Sequence, residues 1–391
     1  MTKDSIRQQF PALTNKAYFN YGGQGPLSQV AKDAIFRSYD LIQQLGPFSQ
    51  GVNDFAIKLQ RELRDTIASE LGVTAHTIAL TEDVTVGCNI ALWGIDWKAG
   101  DHILLSDCEH PGIIAAVGEL QRRFQLEVSI CPLLKTLNEG DPVAIIGDYL
   151  QPNTRLLVIS HILWNTGQVL PLKEIVEVCQ NFSVSHSQRI FVLVDAAQSV
   201  GVLPLNFSEI GVDFYAFTGH KWWCGPDGLG ALYVSPKALE DLHPTFIGWR
   251  GITSNSHGKL GWKSDATRYE IATSAVPLSA GLKDAIALHH EWGTVEERYQ
   301  EICRLSGYLW EKLGAISGVE CLRTSPPESG LVSFQLTNGK SHQELVNNLE
   351  KEGVILRTIH NPNCVRACVH YFTLDSEIEQ LVDAIGQVIS S

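Results

Sequence analysis

Seven short apolar runs, rich in branched residues, alternate with longer amphipathic stretches between residues 70 and 235. The runs are Thr77–Thr81, His102–Ser106, Leu126–Cys131, Arg155–Ser160, Ile190–Val194, Phe214–Thr218 and Ala231–Val234. Several stretches between them have helical periodicity, namely Val84–Trp93, Gly112–Phe124 and Leu172–Phe182. Strands that alternate with helices are typical of a largely parallel sheet with helices on both faces. The pattern therefore predicts a large α/β domain with about seven strands, mostly parallel.

The pattern changes after residue 255 and predicts a second, smaller α+β domain. Its predicted elements are one long helix at Pro277–Ile316, a strand at Gly330–Leu336, a helix at His342–Glu352, strands at Val354–Arg357 and Val365–Tyr371, and a last helix at Glu377–Ile389. We expect three units: an N-terminal segment (1–17) that packs with the small domain, a large domain (18–255) and the small domain (256–391).

Composition narrows the class of protein. The chain of 391 residues is 44% hydrophobic and has a formal net charge of −13, which argues against nucleic-acid binding because such domains concentrate Lys and Arg. Its nine cysteines form no CxxC pair and no metal-ligand spacing, so we expect no metal site and a reducing, cytoplasmic location. No signal peptide is apparent, and no apolar run reaches the roughly 18–20 residues of a membrane span, so no membrane partner is expected.

Polar residues follow the predicted strands where each strand ends. They are Thr85, His110, Asn165, Asp195 with Gln198, and Thr218 with His220 and Lys221. Ligands of open α/β sheets bind outside the carboxyl ends of the strands. These residues are therefore the candidates for the functional site.

Two of these positions carry specific chemistry. Asp195, at the end of FVLVD, is interpreted either as a helix N-cap or as an anion that pairs with a protonated ring nitrogen. Lys221 follows a buried strand and lies beside His220 and two tryptophans. A lysine in apolar surroundings loses solvation, which lowers its pKa and makes it a nucleophile toward carbonyls, although most lysines are simply exposed.

The two segments together, VDAAQS at 194–199 and TGHKWWCGPDGLG at 218–230, resemble the class V aminotransferase-like enzymes. These pyridoxal phosphate (PLP) enzymes of fold type I, the aspartate aminotransferase-like fold, include the cysteine desulfurases. The resemblance extends from YFNYGGQGPLS at 18–28 to YFTLDSEIEQL at 371–381. It implies a fold type I architecture and PLP as cofactor.

The resemblance also implies roles for residues around the cofactor ring. Lys221 carries PLP as a Schiff base and then moves the α-proton of the substrate, and Asp195 pairs with the pyridine nitrogen. Gln198 and Asn165 reach the ring hydroxyl, and His110 stacks on the ring face. The family pattern continues after this histidine with a second histidine and an asparagine, whereas this chain has Pro111 and Gly112.

The cofactor phosphate needs hydrogen-bond donors. A helix predicted to start near Val84 and Thr85 offers free N–H groups and a positive dipole end to an anion. Thr218 and His220 are further candidates. The segment YEIATSAVP at 269–277 resembles the family stretch in which a partner threonine reaches the phosphate, which here is Thr273 of the partner subunit. The resemblance therefore implies a homodimer.

Substrate carboxylates are predicted to bind arginine, whose planar fork matches them. Arg366 resembles the family arginine that binds the α-carboxylate, and Arg357 is a candidate for a second carboxylate or a surface residue. Tyr21 and Gly22 are expected to line the substrate entrance.

The reaction remains open within the family. Cysteine desulfurases carry a nucleophilic cysteine on a mobile loop, but only TIHNPNCV separates Arg357 from Arg366, so Cys364 is expected at a strand edge. The chain most resembles the cystine C–S lyases of cyanobacterial type. That similarity implies β-elimination of L-cystine, or of L-cysteine, to pyruvate, ammonia and cysteine persulfide or sulfide, with sulfur available to an iron–sulfur acceptor protein.

Several alternatives remain. They are a desulfurase that uses Cys364 and gives alanine, an epimerase or aminotransferase of the same family, a regulatory PLP-binding protein without activity, and a dinucleotide-binding protein. The last is disfavoured because the glycines at 225–230 lack GxGxxG spacing.

Overall fold

Residues 1–390 of the chain are described by a computed structural model. The strands are β1 (Ala17–Tyr18), β2 (Ile78–Thr81), β3 (His102–Ser106), β4 (Glu127–Cys131), β5 (Thr154–Ser160), β6 (Phe191–Asp195), β7 (Phe214–Thr218), β8 (Gly230–Val234), β9 (Ile252–Ser254), β10 (Leu260–Trp262), β11 (Val319–Cys321), β12 (Leu331–Leu336), β13 (Val354–Ile355), β14 (Arg357–Ile359) and β15 (Cys364–Cys368). The α-helices are α1 (Lys3–Arg7), α2 (Gln29–Leu45), α3 (Gln50–Leu71), α4 (Val84–Gly94), α5 (Pro111–Phe124), α6 (Pro142–Tyr149), α7 (Leu172–His186), α8 (Phe207–Ile210), α9 (Ala238–Asp241), α10 (Val276–Trp292), α11 (Val295–Gly314), α12 (His342–Lys351) and α13 (Asp375–Ser390).

The seven predicted strands of the large domain form one sheet in the order β2-β8-β7-β6-β5-β3-β4. β8 runs antiparallel to both of its neighbours, and all other pairs are parallel. Successive side chains of a strand face opposite sides of its sheet. Accordingly Leu157 belongs to the core under α3 and α7, whereas Val158 belongs to the core under α4 and α5. The predicted mostly parallel sheet, buried on both faces, is confirmed.

The second sheet is antiparallel, in the order β11-β12-β15-β14. It packs on α11 and α13, and Val332, Phe334 and Val365 contribute to its core. The N-terminal segment contacts this region: β1 pairs with β13, and Arg7 makes a bidentate ion pair with Glu377. No helix within residues 1–390 is long and apolar enough to cross a bilayer.

The predicted single helix at Pro277–Ile316 is wrong. Two helices, α10 and α11, meet at Gly293 and Thr294. The Thr294 hydroxyl accepts from the Glu297 N–H, and the Glu297 carboxylate accepts from the Thr294 N–H at 2.8 Å. This reciprocal capping box satisfies N–H groups at the start of a new helix, so the apolar periodicity continues while the backbone does not.

Boundaries in the small domain also differ from the prediction. The strand predicted at Val354–Arg357 is divided between β13 and β14, and the one predicted at Val365–Tyr371 ends at Cys368. Several elements between residues 18 and 262 were not predicted, namely the helices α2, α3, α6, α8 and α9 and the hairpin of β9 and β10.

The segment after β5, here called the 161–169 loop, connects the large domain to the second sheet. The hydroxyls of Ser333 and Ser329 donate to the carbonyls of Asn165 and Gly167, each at 2.8 Å. Gly167 has a φ of +79°, and a Cβ built on it would lie 2.5 Å from the Leu331 carbonyl oxygen. Only glycine fits this approach, so the loop and the second sheet are held in close register.

Substituting Gly167 tests this contact. Gly100 has a φ of +85° and open space around it, so Gly100→Ala is a matched control that carries only the backbone strain. We expect Gly100→Ala to destabilise the protein by about 1 kcal/mol, and Gly167→Ala by roughly 1–3 kcal/mol more because the added methyl displaces Leu331. Urea unfolding measures both, and equal losses would contradict the close approach.

Candidate functional site

Lys221 lies just beyond the carboxyl end of β7. Its side chain is only partly accessible, and loss of solvation lowers the pKa of the ammonium group to about 8. The Asp195 carboxylate opposes this shift, whereas Arg366 and Arg357 add to it. At pH 7 about a tenth of the amine is therefore uncharged and able to attack a carbonyl carbon, far more than for an exposed lysine.

Two buried histidines hold the backbone that follows Lys221. The carbonyl of Trp222 lies 2.9 Å from His370 Nε2, and the carbonyl of Trp223 lies 2.8 Å from His289 Nε2. Burial lowers the pKa of both imidazoles, that of His370 to about 3, so both are neutral. Sequence reasoning missed both, because nothing in ALHHEW or CVHYF indicates a contact with a distant loop.

Asp195 ends β6 and is buried. Its Oδ1 accepts from the N–H of Ala197 at 3.0 Å. Burial raises the pKa of this carboxyl, and the Ala197 N–H, Lys221 and His110 counteract part of the rise. No helix begins here, so the N-cap interpretation is wrong. The carboxylate is available to a cationic group.

Glu109 is a buried carboxyl that sequence reasoning also missed. It accepts hydrogen bonds from the Ser106 hydroxyl at 2.5 Å, the Ser160 hydroxyl at 2.8 Å and the Ser160 N–H at 3.0 Å. These contacts join the ends of β3 and β5, and Ser160 is paired with Asp195 in the sheet. Burial raises the pKa of Glu109 to about 7, with a contribution from the Asp195 charge.

His110 is the N-cap of α5, and Pro111 occupies the first turn. Its Nδ1 accepts from the Gly112 N–H at 3.2 Å, so the neutral ring carries its proton on Nε2. The ring is exposed and contacts Trp164 edge-on, at 5.6 Å between centroids. Loss of solvation lowers the pKa of His110. Pro111 and Gly112 thus start a helix directly after the histidine.

Arg366 and Arg357 are cross-strand partners on β15 and β14. Arg366 is 1% exposed, and its Nη1 donates to the Trp164 carbonyl at 2.5 Å, while its Nε and Nη2 have no partner. A Cβ on Gly22 would lie 2.9 Å from Arg366 Nη2, so glycine leaves room for the guanidinium. Arg357 is exposed and has no carboxylate partner within residues 1–390.

The other predicted ring and entrance residues lie nearby. Asn165 Nδ2 donates to the Asn361 carbonyl at 3.0 Å, and its buried Oδ1 has no partner. Gln198 donates to the Gly22 carbonyl and accepts from the Trp222 indole. Tyr21 does not face an opening, because it is fully buried in an aromatic cluster with Trp222.

The predicted phosphate-binding residues fall into two groups. Thr218 Oγ1 lies 2.6 Å from His220 Nδ1, beside Lys221. Thr85, at the N-terminus of α4, and Thr273 are exposed and line one cavity of about 920 Å³. Lys221 and Asp195 do not line that cavity, so within one chain Thr85 and Thr273 share a cavity that excludes the amine.

Cys364 is buried at the start of β15. Burial raises the pKa of its thiol to about 12, partly offset by Arg366. A buried, protonated thiol is a poor nucleophile. No group of three potential metal ligands was found within residues 1–390.

Known proteins resemble this chain over nearly its whole length. A profile of the class V aminotransferases matches residues 49–381. A structure of the cystine C–S lyase C-DES with its reaction product cysteine persulfide superposes with a TM-score of 0.93, at 48% identity over 97% of this chain and 99% of C-DES. A second structure, a C-DES mutant with glycine covalently linked to the PLP cofactor, superposes with a TM-score of 0.94. It is also 48% identical, and the match covers 97% of this chain and 98% of the C-DES mutant.

Two curated relatives are more distant. A probable cysteine desulfurase of Methanothermobacter thermautotrophicus is 24% identical over 407 residues, which cover 99% of this chain and 98% of the relative. Isopenicillin N epimerase of Streptomyces clavuligerus is 27% identical over 403 residues, 96% of this chain and 94% of the relative.

Glu109→Gln tests the buried carboxyl. A carboxyl whose pKa rises from 4.5 to about 7 on folding stabilises the fold below pH 4.5, and this contribution is lost as pH rises toward 7. As the pH rises from 4.5 to about 7, thermal unfolding should therefore show that the wild type loses stability relative to the Glu109→Gln variant. Exposed Glu139→Gln is the control, and a pH-independent difference for Glu109→Gln would contradict the buried carboxyl.

Proposed function

Because the chain belongs to the class V aminotransferase family, whose profile matches residues 49–381, we propose that it is a PLP-dependent carbon–sulfur lyase that cleaves L-cystine by β-elimination. Family membership confirms the predicted fold type I architecture. One observation carries the proposal: two arginines, Arg366 and Arg357, stand side by side near Lys221, and cystine has two carboxylates to bind them. The 48% identity to a cystine C–S lyase supports it.

The residues of the site fit PLP. Lys221 supplies a partly neutral amine for the cofactor aldehyde, and buried Asp195 supplies an anion for the pyridine nitrogen. Thr218 and His220, the start of α4 at Val84 and Thr85, and Thr273 of the partner subunit are proposed to hold the phosphate. His110, Asn165 and Gln198 are proposed to contact the ring. When bound, PLP supplies an electron sink conjugated to the α-carbon of the substrate.

The chain's own residues orient the substrate and move its proton. Arg366, with Nε and Nη2 unpaired, binds the α-carboxylate, and Arg357 binds the distal carboxylate. The Lys221 amine then takes the α-proton at Nζ, and the β-carbon–sulfur bond breaks to release a persulfide anion. Cystine and one water thereby give pyruvate, ammonia and cysteine persulfide, with all atoms balanced.

A desulfurase mechanism is disfavoured by Cys364. Sulfur abstraction requires a thiolate that reaches the substrate, whereas this thiol is buried and its pKa is raised to about 12. Epimerisation, the activity named for one relative, needs no leaving group and is distinguished by its products.

The protein is further proposed to act as a homodimer that passes sulfur to an iron–sulfur acceptor protein in the cytoplasm. Phe246, Ile247 and Trp249 are 58–69% exposed, and Ile271 is 39% exposed. Large apolar side chains grouped in this way mark interaction surfaces. Phe246 and Ile271 also line the cavity that contains Thr85 and Thr273, so a second copy on this surface completes the phosphate site. We also propose, as a separate point, that the large domain ends at residue 255 and the small domain begins at residue 256.

Product analysis with L-cystine tests the reaction. We expect pyruvate and cysteine persulfide from the wild type, and a loss of roughly 10²–10⁴-fold or more in turnover for Lys221→Ala because the proton-transferring amine is removed. Cys364→Ala is the matched variant and should retain turnover within about twofold, since a buried thiol takes no part. Alanine as the carbon product, or D-configured product without pyruvate, would reject the lyase.

Sedimentation tests the dimer. Trp249→Asp places a charge on the exposed apolar surface and should give a monomer with little turnover, because the phosphate site then lacks Thr273 of the partner subunit. Val184→Asp, also at an exposed apolar residue but on α7, is the control and should remain dimeric. A fully active monomeric wild type would contradict the shared site.

A further inference from the structure

Arg366 and the 161–169 loop, whose backbone contacts it, carry several unpaired polar atoms. Among the buried side-chain atoms of residues 1–390 that lack a hydrogen-bond partner are Trp164 Nε1, Asn165 Oδ1, and both Nε and Nη2 of Arg366. A buried donor without an acceptor costs about 1–3 kcal/mol. Three such donors, on Arg366 and on a residue whose backbone contacts it, favour a ligand with several acceptor atoms.

A hydrogen bond joins the Arg366 side chain to the backbone of Trp164. Trp164 lies in the 161–169 loop, and its carbonyl accepts from Arg366 Nη1 at 2.5 Å. That bond occupies one end of the guanidinium and leaves Nη2 and Nε for a ligand. The indole itself contacts the His110 ring, 5.6 Å away and inclined by 67°. Trp164 thus connects the substrate arginine to the histidine proposed to lie on the cofactor ring.

We propose that the indole N–H of Trp164 donates to the α-carboxylate that Arg366 binds, and that this bond makes the site select amino acids over simple amines. The inference rests on the proposed function and adds to it a residue that determines specificity. A carboxylate has about four acceptor positions, so one guanidinium edge leaves some of them open. The indole is a donor only and cannot accept a proton, so it attracts a carboxylate at every pH of interest.

Other indole N–H groups of the protein bind backbone carbonyls: Trp97 Nε1 binds the Leu92 carbonyl at 2.7 Å, and Trp310 Nε1 binds the Arg323 carbonyl at 2.9 Å. Trp164 has no such acceptor although the atom is buried. Its ring packing and its backbone carbonyl are independent of the N–H and survive its removal.

The test compares two ligands on the PLP-loaded enzyme. Glycine and methylamine bind through the same amino group, but only glycine has a carboxylate. We expect Trp164→Phe to weaken glycine binding roughly tenfold, the effect of one hydrogen bond to a charged group, and to leave methylamine unchanged. Dissociation constants come from titrating the cofactor absorbance. Trp223→Phe, which also removes a buried unpaired indole N–H, should leave the ratio of the two constants unchanged.

Kinetics and an isosteric variant complete the test. The KM for cystine should rise about tenfold in Trp164→Phe with kcat within about twofold, because the carboxylate bond is present both before and during the reaction. If Trp164→Phe folds poorly, β-(3-benzothienyl)alanine at position 164 keeps the ring shape and replaces the N–H with sulfur. The same loss of glycine preference is expected for it.

The outcomes separate this inference from the proposed function. An unchanged ratio of glycine to methylamine binding, or an equal loss for both ligands, overturns the role of the indole even if cystine gives pyruvate. If cystine gives no pyruvate in the wild type but the ratio falls in Trp164→Phe, the lyase proposal fails and the carboxylate role of Trp164 stands.

Discussion

The functional site depends on the desolvation of one amine, that of Lys221. The pKa of Lys221 falls to about 8 because protein surrounds the side chain, and Asp195 keeps it from falling further. This balance needs a stationary backbone. Neutral His289 and His370 accordingly hold the two carbonyls that follow the lysine, at 2.8 and 2.9 Å. Because burial keeps both imidazoles neutral, the loop is held without adding a cation to this part of the molecule.

Sequence patterns were sufficient for the seven-stranded sheet of the large domain and for the residues at its strand ends. Each strand of a sheet buried on both faces is a continuous apolar run, and the residue that ends it lies at the ligand-binding edge, so Asp195 and Lys221 could be located without coordinates. Sequence was insufficient where one local pattern allows two structures. The apolar period runs unbroken through Gly293, and only the reciprocal bonds of Thr294 and Glu297 reveal a new helix.

Residues that act over long sequence distances could not be predicted. Glu109 is recognisable only once Ser106 and Ser160 are known to meet, and His370 only once it reaches Trp222, 148 positions away. Trp164 could not be predicted either, because only the structure shows that its buried indole N–H has no acceptor. Tyr21 shows the opposite error: it was expected to line the substrate entrance, whereas it is buried in an aromatic cluster.

The two histidine contacts also join parts of the chain that are far apart in sequence. His289 lies on α10 and His370 follows β15, whereas Trp222 and Trp223 come directly after Lys221. The loop that carries the reactive amine is therefore held from outside the seven-stranded sheet. A substitution that shifts α10 or the end of β15 should consequently move the amine, although neither element belongs to the strands that end at the site.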